Sequence, residues 1–369
     1  RQQAATLQHS ILGHLTHPGA VALAGRLARR MPTPDRHVLF SSDGASAVEA
    51  ALKIALQYWH QAGASRRTLL AHLADSYHGD TLGAVAVGYL EAFHRPFKPV
   101  LVPGVPLPLP GADPTQRLWR PAAEGGALTA PEQAAWQQAR RVLDRNGQRI
   151  AALIVEPICQ GAAGMRMYSP AYLRKLAALC RAHHILMIAD EIATGFGRTG
   201  RWFAFEHAGV DPDIVCVGKA LSAGYLPISA AIIKDRIYRT FADTPADHTF
   251  YHGHTFSGNP IAAAAALAAL KVYELRDLPA RAREIERRIA RAWQPLADLP
   301  AVSQVRCLGA IGAIEFHSTP RQPGSTRARL AHQRLLREGV LTRPLGPVLY
   351  VMPPLTIPWA WLDRRQREG

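Results

Sequence analysis

Two short apolar runs, Ile185-Leu186-Met187-Ile188-Ala189 and Ile214-Val215-Cys216-Val217, each deliver one polar side chain at the carboxyl end. Asp190 closes the first, and Gly218-Lys219 follows the second. Unbroken apolar runs of this length, bounded by polar turns, read as strands covered on both faces, as in a parallel sheet. Open α/β sheets gather their ligands at the carboxyl ends of such strands. The chain is therefore constrained to present a carboxylate and an amine together at one edge of a sheet. Taken singly, a lysine there is commonly a snorkelling surface residue and an Asp-Glu pair commonly a helix entry.

Strand and helix patterns alternate along most of the chain. Val21 to Ala28 is helical in pattern and leads into the break Met31-Pro32-Thr33-Pro34. His37-Val38-Leu39-Phe40 reads as a strand, and Ser41-Ser42-Asp43-Gly44-Ala45-Ser46 as a small-residue turn. A helix with apolar positions at Val48, Ala51, Leu52, Ala55 and Tyr58 follows. Strand, small turn and helix together offer backbone N–H groups and a positive helix end to a phosphate, although Ser-Asp-Gly is also a common helix cap. Further strands are expected at Thr68-Leu69-Leu70-Ala71 and from Ile150 to Glu156, with a surface loop over residues 103–114 and helices over 132–146 and 261–275. Beyond residue 276 the pattern changes to Arg-rich helices with strands near Ile311-Gly312-Ala313-Ile314 and Leu349-Tyr350-Val351-Met352. These patterns predict an α/β fold: a helical segment over 1–30, a large domain over 31–275 with a mainly parallel sheet covered by helices, and a smaller α+β domain over 276–369.

Composition narrows the function. A chain of 369 residues with 48% hydrophobic and 19% charged residues builds a large core. The 43 basic against 28 acidic residues give +15, a charge that invites nucleic acid or an anionic membrane. The arginines are scattered, however, as in the pairs Arg29-Arg30, Arg66-Arg67 and Arg140-Arg141, with no basic stripe interleaved with aromatics. Neither partner is expected. The four cysteines show no metal-binding spacing and read as thiols of a reducing compartment. With no run of transmembrane length and no signal-peptide pattern, a cytoplasmic enzyme is expected.

An amine and a carboxylate so placed are what a pyridoxal phosphate enzyme needs. The Lys219 amine would form a Schiff base with the cofactor aldehyde, and the Asp190 carboxylate would keep the pyridine nitrogen protonated so that the ring can take up electrons. Gly195-Phe196-Gly197-Arg198-Thr199-Gly200 has the GxGxxG form of a dinucleotide site. It lacks the tight turn directly after the strand and the acidic residue about 20 positions on. It reads instead as a loop beside the cofactor, with Arg198 available to substrate or to structure. Tyr77, in Asp75-Ser76-Tyr77-His78-Gly79-Asp80-Thr81, offers a face to stack on a flat ring. His252-Gly253-His254-Thr255 suggests a metal, but no acidic or cysteine ligand accompanies it, and a Thr hydroxyl among glycines suits phosphate better.

Asp190-Glu191-Ile192-Ala193-Thr194-Gly195-Phe196-Gly197-Arg198-Thr199-Gly200 followed by Gly218-Lys219-Ala220-Leu221 resembles the signature of the class III (ornithine-type) aminotransferases. Gln57-Tyr58-Trp59, Tyr77-His78-Gly79-Asp80-Thr81, Glu156-Pro157-Ile158-Cys159-Gln160-Gly161-Ala162, Arg343-Pro344-Leu345-Gly346 and Met352-Pro353-Pro354 look like the members that aminate 8-amino-7-oxononanoate on the route to biotin. The similarity runs over nearly the whole chain. It implies a type I pyridoxal phosphate fold and a homodimer with shared active sites. Lys219 would carry the cofactor, Asp190 would face the ring nitrogen and Tyr77 would stack on the ring. Gly44 and Ala45 would give backbone donors to the phosphate, with Thr255 joining from the partner chain. Gly253, Arg343 and Tyr350 would meet the substrate, Arg343 through its carboxylate. S-adenosylmethionine or lysine would be the amino donor. A class III enzyme for an ω-amine such as β-alanine, ornithine or diaminobutyrate, or an inactive relative of the fold, are the alternatives. Ala45 stands where the family commonly has a hydroxyl residue, with Ser46 adjacent. Family members usually begin with a longer segment than the one before Leu7, so the first 30 residues are expected to be a shortened version of it.

Overall fold

The computed structural model describes residues 2–13, 15–113, 115–121, 126–242, 248–320 and 322–367, the side chains of 364–367 excepted. In chain order the strands are β1 (Arg36–Ser41), β2 (Leu69–Leu73), β3 (Val105–Leu107), β4 (Leu118–Trp119), β5 (Ile150–Val155), β6 (Cys159–Gln160), β7 (Arg166–Met167), β8 (Leu186–Asp190), β9 (Ile214–Val217), β10 (Ser229–Lys234), β11 (Val302–Leu308), β12 (Ile311–Phe316), β13 (Arg343–Leu345) and β14 (Val348–Val351). The helices are α1 (Gln2–Thr6), α2 (Pro18–Ala28), α3 (Gly44–Gln61), α4 (Leu82–Ala86), α5 (Glu91–His94), α6 (Ala130–Asn146), α7 (Pro170–Ala182), α8 (Asp235–Ala242), α9 (Pro260–Leu275), α10 (Leu278–Trp293), α11 (Gly324–Arg337) and α12 (Trp359–Arg367).

The larger sheet has seven strands in the order β1-β10-β9-β8-β5-β2-β3. From β3 to β9 every neighbouring pair is parallel. Only β10 runs against its neighbours. Every residue of β5, β8 and β9 is buried, because helices cover both faces. Side chains alternate between those faces. Ala152, Ile154, Ile188, Ile214 and Cys216 pack with Ala47, Val48, Ala51 and Ile54 of α3. On the other face Leu153, Val155 and Met187 meet α6 and α7, while Val215, Val217, Ala230 and Ile232 meet α2 and α9. Each fully buried Leu, Ile or Val among them contributes roughly 1.5–3 kcal/mol of transfer free energy.

Side chains mark where several helices start. Asp43 accepts from Ser46 N at α3, Thr129 and Glu132 form a capping box at α6, Ser169 caps α7 and Asn259 caps α9. Pro170 and Pro260 sit at the first helical positions, where no hydrogen bond is lost.

The second sheet is β13-β14-β12-β11-β4, antiparallel except for β4 beside β11. Helices α10 and α11 pack on it. Residues 118–119, far upstream in sequence, thus join strands from the C-terminal part of the chain. The two sheets are tied where the β11–β12 turn meets the loop after β8. Ala310 N donates to Arg198 O at 2.9 Å, and Gly309 has φ +54. A side chain at 309 would meet Arg198 O at 2.3 Å, so only glycine fits there.

The Pro-rich stretch 103–114, expected as a surface loop, contains β3, an edge strand paired with β2 alone. Pro106 is tolerated because an edge strand leaves one side of its backbone unpaired. Pro114 lies outside the described residues.

Candidate active site

The carboxyl ends of β2, β5, β8 and β9 converge. Asp190 is the last residue of β8 and pairs in register with Cys216 of β9, and Lys219 begins the short turn just beyond β9. Glu191 N donates to Cys216 O at 2.9 Å, stitching the two strand ends together. Lys219 is exposed and held at φ +39, an unusual backbone for a residue with a side chain. Its turn is pinned from α9, where the Tyr273 hydroxyl donates to Ala220 O at 2.5 Å. Lys219, Ile192, Ala193 and Arg198 line a cleft of about 1720 Å³ that reaches Tyr225 and Met352.

Asp190 is 5% exposed. One carboxylate oxygen accepts from Ile192 N at 3.1 Å, and the other lies 2.7 Å from His78 Nδ1. His78 is buried as well, and its Nε2 has no partner among the described residues. The same loop carries Tyr77, half-buried, with its hydroxyl donating to Asp80 Oδ2 at 2.9 Å. Burial, with the Asp80 bond, pushes the Tyr77 phenol up to about 12. Tyr77 is therefore a neutral ring face throughout the physiological range.

At the start of α3, the N–H groups of Gly44 and Ala45 have no intrahelical acceptor. This helix end lies against the strand ends: a side chain at Gly44 would meet Ile192 at 3.0 Å, and one at Gly218 would come within 3.7 Å of Gly44 Cα. Ser46 does not aim its hydroxyl outward, because Oγ donates to Asp43 Oδ2 at 2.9 Å. Ala45 packs under Gly79, where an added side chain would meet its Cβ at 2.5 Å. A small residue at 45 and a glycine at 79 are what let the Tyr77 loop close over the helix end.

The other residues singled out from sequence lie elsewhere. Arg343 and Tyr350 stand directly opposite each other on β13 and β14, so their side chains share one face of the second sheet. Gly253 and Thr255 lie on an exposed loop before α9, and neither lines the cleft that holds Lys219. Arg198 does line it. Its guanidinium donates to Pro353 O at 2.7 Å and, more weakly, to Ala310 O, and burial pulls it down to about 10. No helix begins after Gly200 in the manner of a dinucleotide site, only a short 3₁₀ turn at Ala204–Ala208.

Glu156, just beyond β5, figures in the sequence only as the head of the Glu156–Ala162 motif, with no site role. It is buried, accepts from Tyr77 N at 3.0 Å and Gly161 N at 2.9 Å, and burial pushes its carboxyl up to about 7. Glu191 is buried too, accepts from Phe205 N and the Thr194 hydroxyl, and is likewise raised to about 7 by burial.

The donor set fits pyridoxal phosphate: an accessible amine beside a cleft, a buried carboxylate at the adjacent strand end, an aromatic face, and orphan helix N–H groups for a phosphate. The comparisons with known proteins agree. The family model described as "Aminotransferase class-III" matches residues 1–365. The chain is 42% identical over 359 residues to the adenosylmethionine-8-amino-7-oxononanoate aminotransferase of Synechococcus elongatus, covering 96% of this chain and 80% of that one. In structure it resembles the enzyme of the same name from Methanocaldococcus jannaschii, with TM-score 0.86, 30% identity and coverage of 99% and 81%. It also resembles an amine transaminase from an uncultivated Pseudomonas species in its pyridoxal-phosphate-bound form, with TM-score 0.87, 33% identity and coverage of 99% and 83%.

Proposed function

The chain belongs to the class III aminotransferases, and on that premise we propose that it transfers an amino group to 8-amino-7-oxononanoate, giving 7,8-diaminononanoate for biotin synthesis, with S-adenosylmethionine as donor. The observation that carries this reading is the 42% identity, over 96% of the chain, to a relative bearing that name. Arg343 facing Tyr350 across a strand pair supports it, since a guanidinium beside a phenol suits the carboxylate tail of such a keto acid.

Pyridoxal phosphate, when bound, supplies an aldehyde that takes up and returns an amino group and a ring that accepts the electron pair left at the substrate carbon. The residues of this chain do the rest. The Lys219 amine would hold the cofactor and would serve as the base and acid for the proton at the substrate carbon. Asp190, anchored by Ile192 N and His78, holds a positive charge at the ring nitrogen. Tyr77 covers one face of the ring. The N–H groups of Gly44 and Ala45 bind the phosphate at the positive end of α3. Arg343 binds the substrate carboxylate.

We further read the enzyme as a cytoplasmic homodimer, its cofactor held by residues 31–275 and its substrate carboxylate by residues 276–369. Thr255 sits on an exposed loop with Tyr251 and Phe256, which are 80% and 65% exposed. Large aromatics so placed suit an interface, and there Thr255 would join the partner's phosphate site with Gly253 beside its substrate. The four cysteines are free thiols, and no described helix is long and apolar enough to cross a membrane.

A second reading, an amine transaminase taking an ω-amine, is favoured by the 33% identity to the Pseudomonas structure. Incubation of the purified chain with pyridoxal phosphate, 8-amino-7-oxononanoate and either S-adenosylmethionine, lysine or β-alanine separates the two. Diaminononanoate detected by mass spectrometry with S-adenosylmethionine supports the first reading. Amino transfer from β-alanine alone replaces it with the second.

A further inference from the structure

Glu156 ties together two strained loops next to the site. The loop after β2 contains Asp75 at φ +57, and the loop after β5 contains Ile158 at φ +66. A β-branched residue at positive φ is an outlier that persists only when its surroundings over-determine it. The contacts that do so radiate from Glu156. Its carboxyl accepts from Tyr77 N at 3.0 Å with one oxygen and from Gly161 N at 2.9 Å with the other. Its own carbonyl accepts the Tyr168 hydroxyl at 2.6 Å, and Tyr168 N donates back to Ile158 O at 3.1 Å. A second tie, Gln160 Nε2 to Ala74 O at 3.1 Å, runs parallel to the first.

We propose that Glu156 is a positioning residue of this enzyme: its carboxyl clamps the main chain of Tyr77 to the loop at Gly161 and so fixes the plane in which the Tyr77 ring meets the cofactor. The inference rests on the role given above to Tyr77. A buried glutamate that accepts two amides stabilises a fold wherever it occurs. Here one of the amides belongs to Tyr77 itself, and the loop ends at His78, the partner of Asp190. The clamp thereby fixes two parts of the site at once. A carboxylate suits the task because both oxygens are acceptors, whereas an amide side chain must turn its NH₂ toward one of the two N–H groups and lose that bond.

The test uses the full chain and Glu156→Gln, each with and without pyridoxal phosphate. Hydrogen-exchange mass spectrometry reads the peptide spanning residues 75–79, and visible circular dichroism reads the bound cofactor. In Glu156→Gln, exchange at Tyr77 is expected to accelerate up to about tenfold, the worth of one hydrogen bond, while β5 and β8 stay protected. The dichroic band should weaken or shift while the absorption band of lysine-bound cofactor persists. A general loss of stability would instead speed exchange in β5 and β8 together with the loop. Unchanged exchange at Tyr77 and an unchanged dichroic band would overturn the proposal. Should Glu156→Gln not fold, Glu156→Asp gives the same reading, since it keeps both acceptor oxygens but is one methylene too short to span both amides. If the unaltered chain shows no visible band with the cofactor, it is the assigned function that fails, and exchange without cofactor still tests the clamp.

Discussion

His78 Nδ1 lies 2.7 Å from Asp190 Oδ2, with both side chains enclosed by protein. The two come from the ends of different segments, the β2 loop and β8, so this bond helps orient the carboxylate proposed to face the ring nitrogen. Among the described residues, the one further bond to the Asp190 carboxylate comes from Ile192 N.

His78→Phe fills the same space and removes the bond. Hydrogen bonds to charged groups contribute about 1.5–3 kcal/mol, so kcat/KM should fall roughly ten- to a hundred-fold while far-ultraviolet circular dichroism stays unchanged. Steady-state kinetics check this. Wild-type kcat/KM in the variant would mean that Asp190 is oriented by other groups.

Arg343→Ala should weaken the keto-acid half-reaction by roughly ten-fold or more through its apparent affinity, leaving the amino-donor half-reaction near wild type. Single-turnover spectra of each half-reaction measure this. Equal damage to both halves would place Arg343 outside the carboxylate site.

Glu191, fully buried, is raised to about 7 from an ordinary value of 4.5. Between those pH values the folded chain holds a proton that the unfolded chain has released. The stability it contributes is thus present below about pH 4.5 and lost as pH rises to about 7. Glu191→Gln removes that loss, so the variant should gain on wild type from pH 4.5 to 7 by an amount on the order of 2–3 kcal/mol at most. His207, which burial pulls down to about 4, acts in the opposite sense over pH 4 to 6.5 in both proteins and cancels from the difference. Denaturant midpoints at pH 5 and pH 8 measure the effect. A constant difference across that range would contradict it.

Much of this arrangement is legible in the sequence because strands covered on both faces leave unbroken apolar runs. That is how Asp190 and Lys219 stand out, and the parallel pairing of β8 with β9 brings them together. β3 is not legible, since Pro106 is a strand-breaking signal everywhere except at a sheet edge, and the edge is known only once the sheet is assembled. The role of Glu156, though not its place in the Glu156–Ala162 motif, is hidden for a similar reason. A glutamate after a strand is unremarkable until folding brings the amides of Tyr77 and Gly161 to its two oxygens. Ser46 faces Asp43, a direction that no spacing rule supplies. Gly253 entered through resemblance alone and Thr255 also through its hydroxyl among glycines, and within a single chain both lie on an exposed loop.

On the function proposed here, Lys219 carries pyridoxal phosphate and S-adenosylmethionine discharges its amino group there. The most direct measurement is the visible absorption spectrum of the chain with pyridoxal phosphate, before and after S-adenosylmethionine, with Lys219→Ala alongside. A band of lysine-bound cofactor is expected in the unaltered chain, absent in Lys219→Ala, that bleaches when S-adenosylmethionine is added. A band that survives in Lys219→Ala, or one that bleaches with β-alanine but not with S-adenosylmethionine, would contradict it.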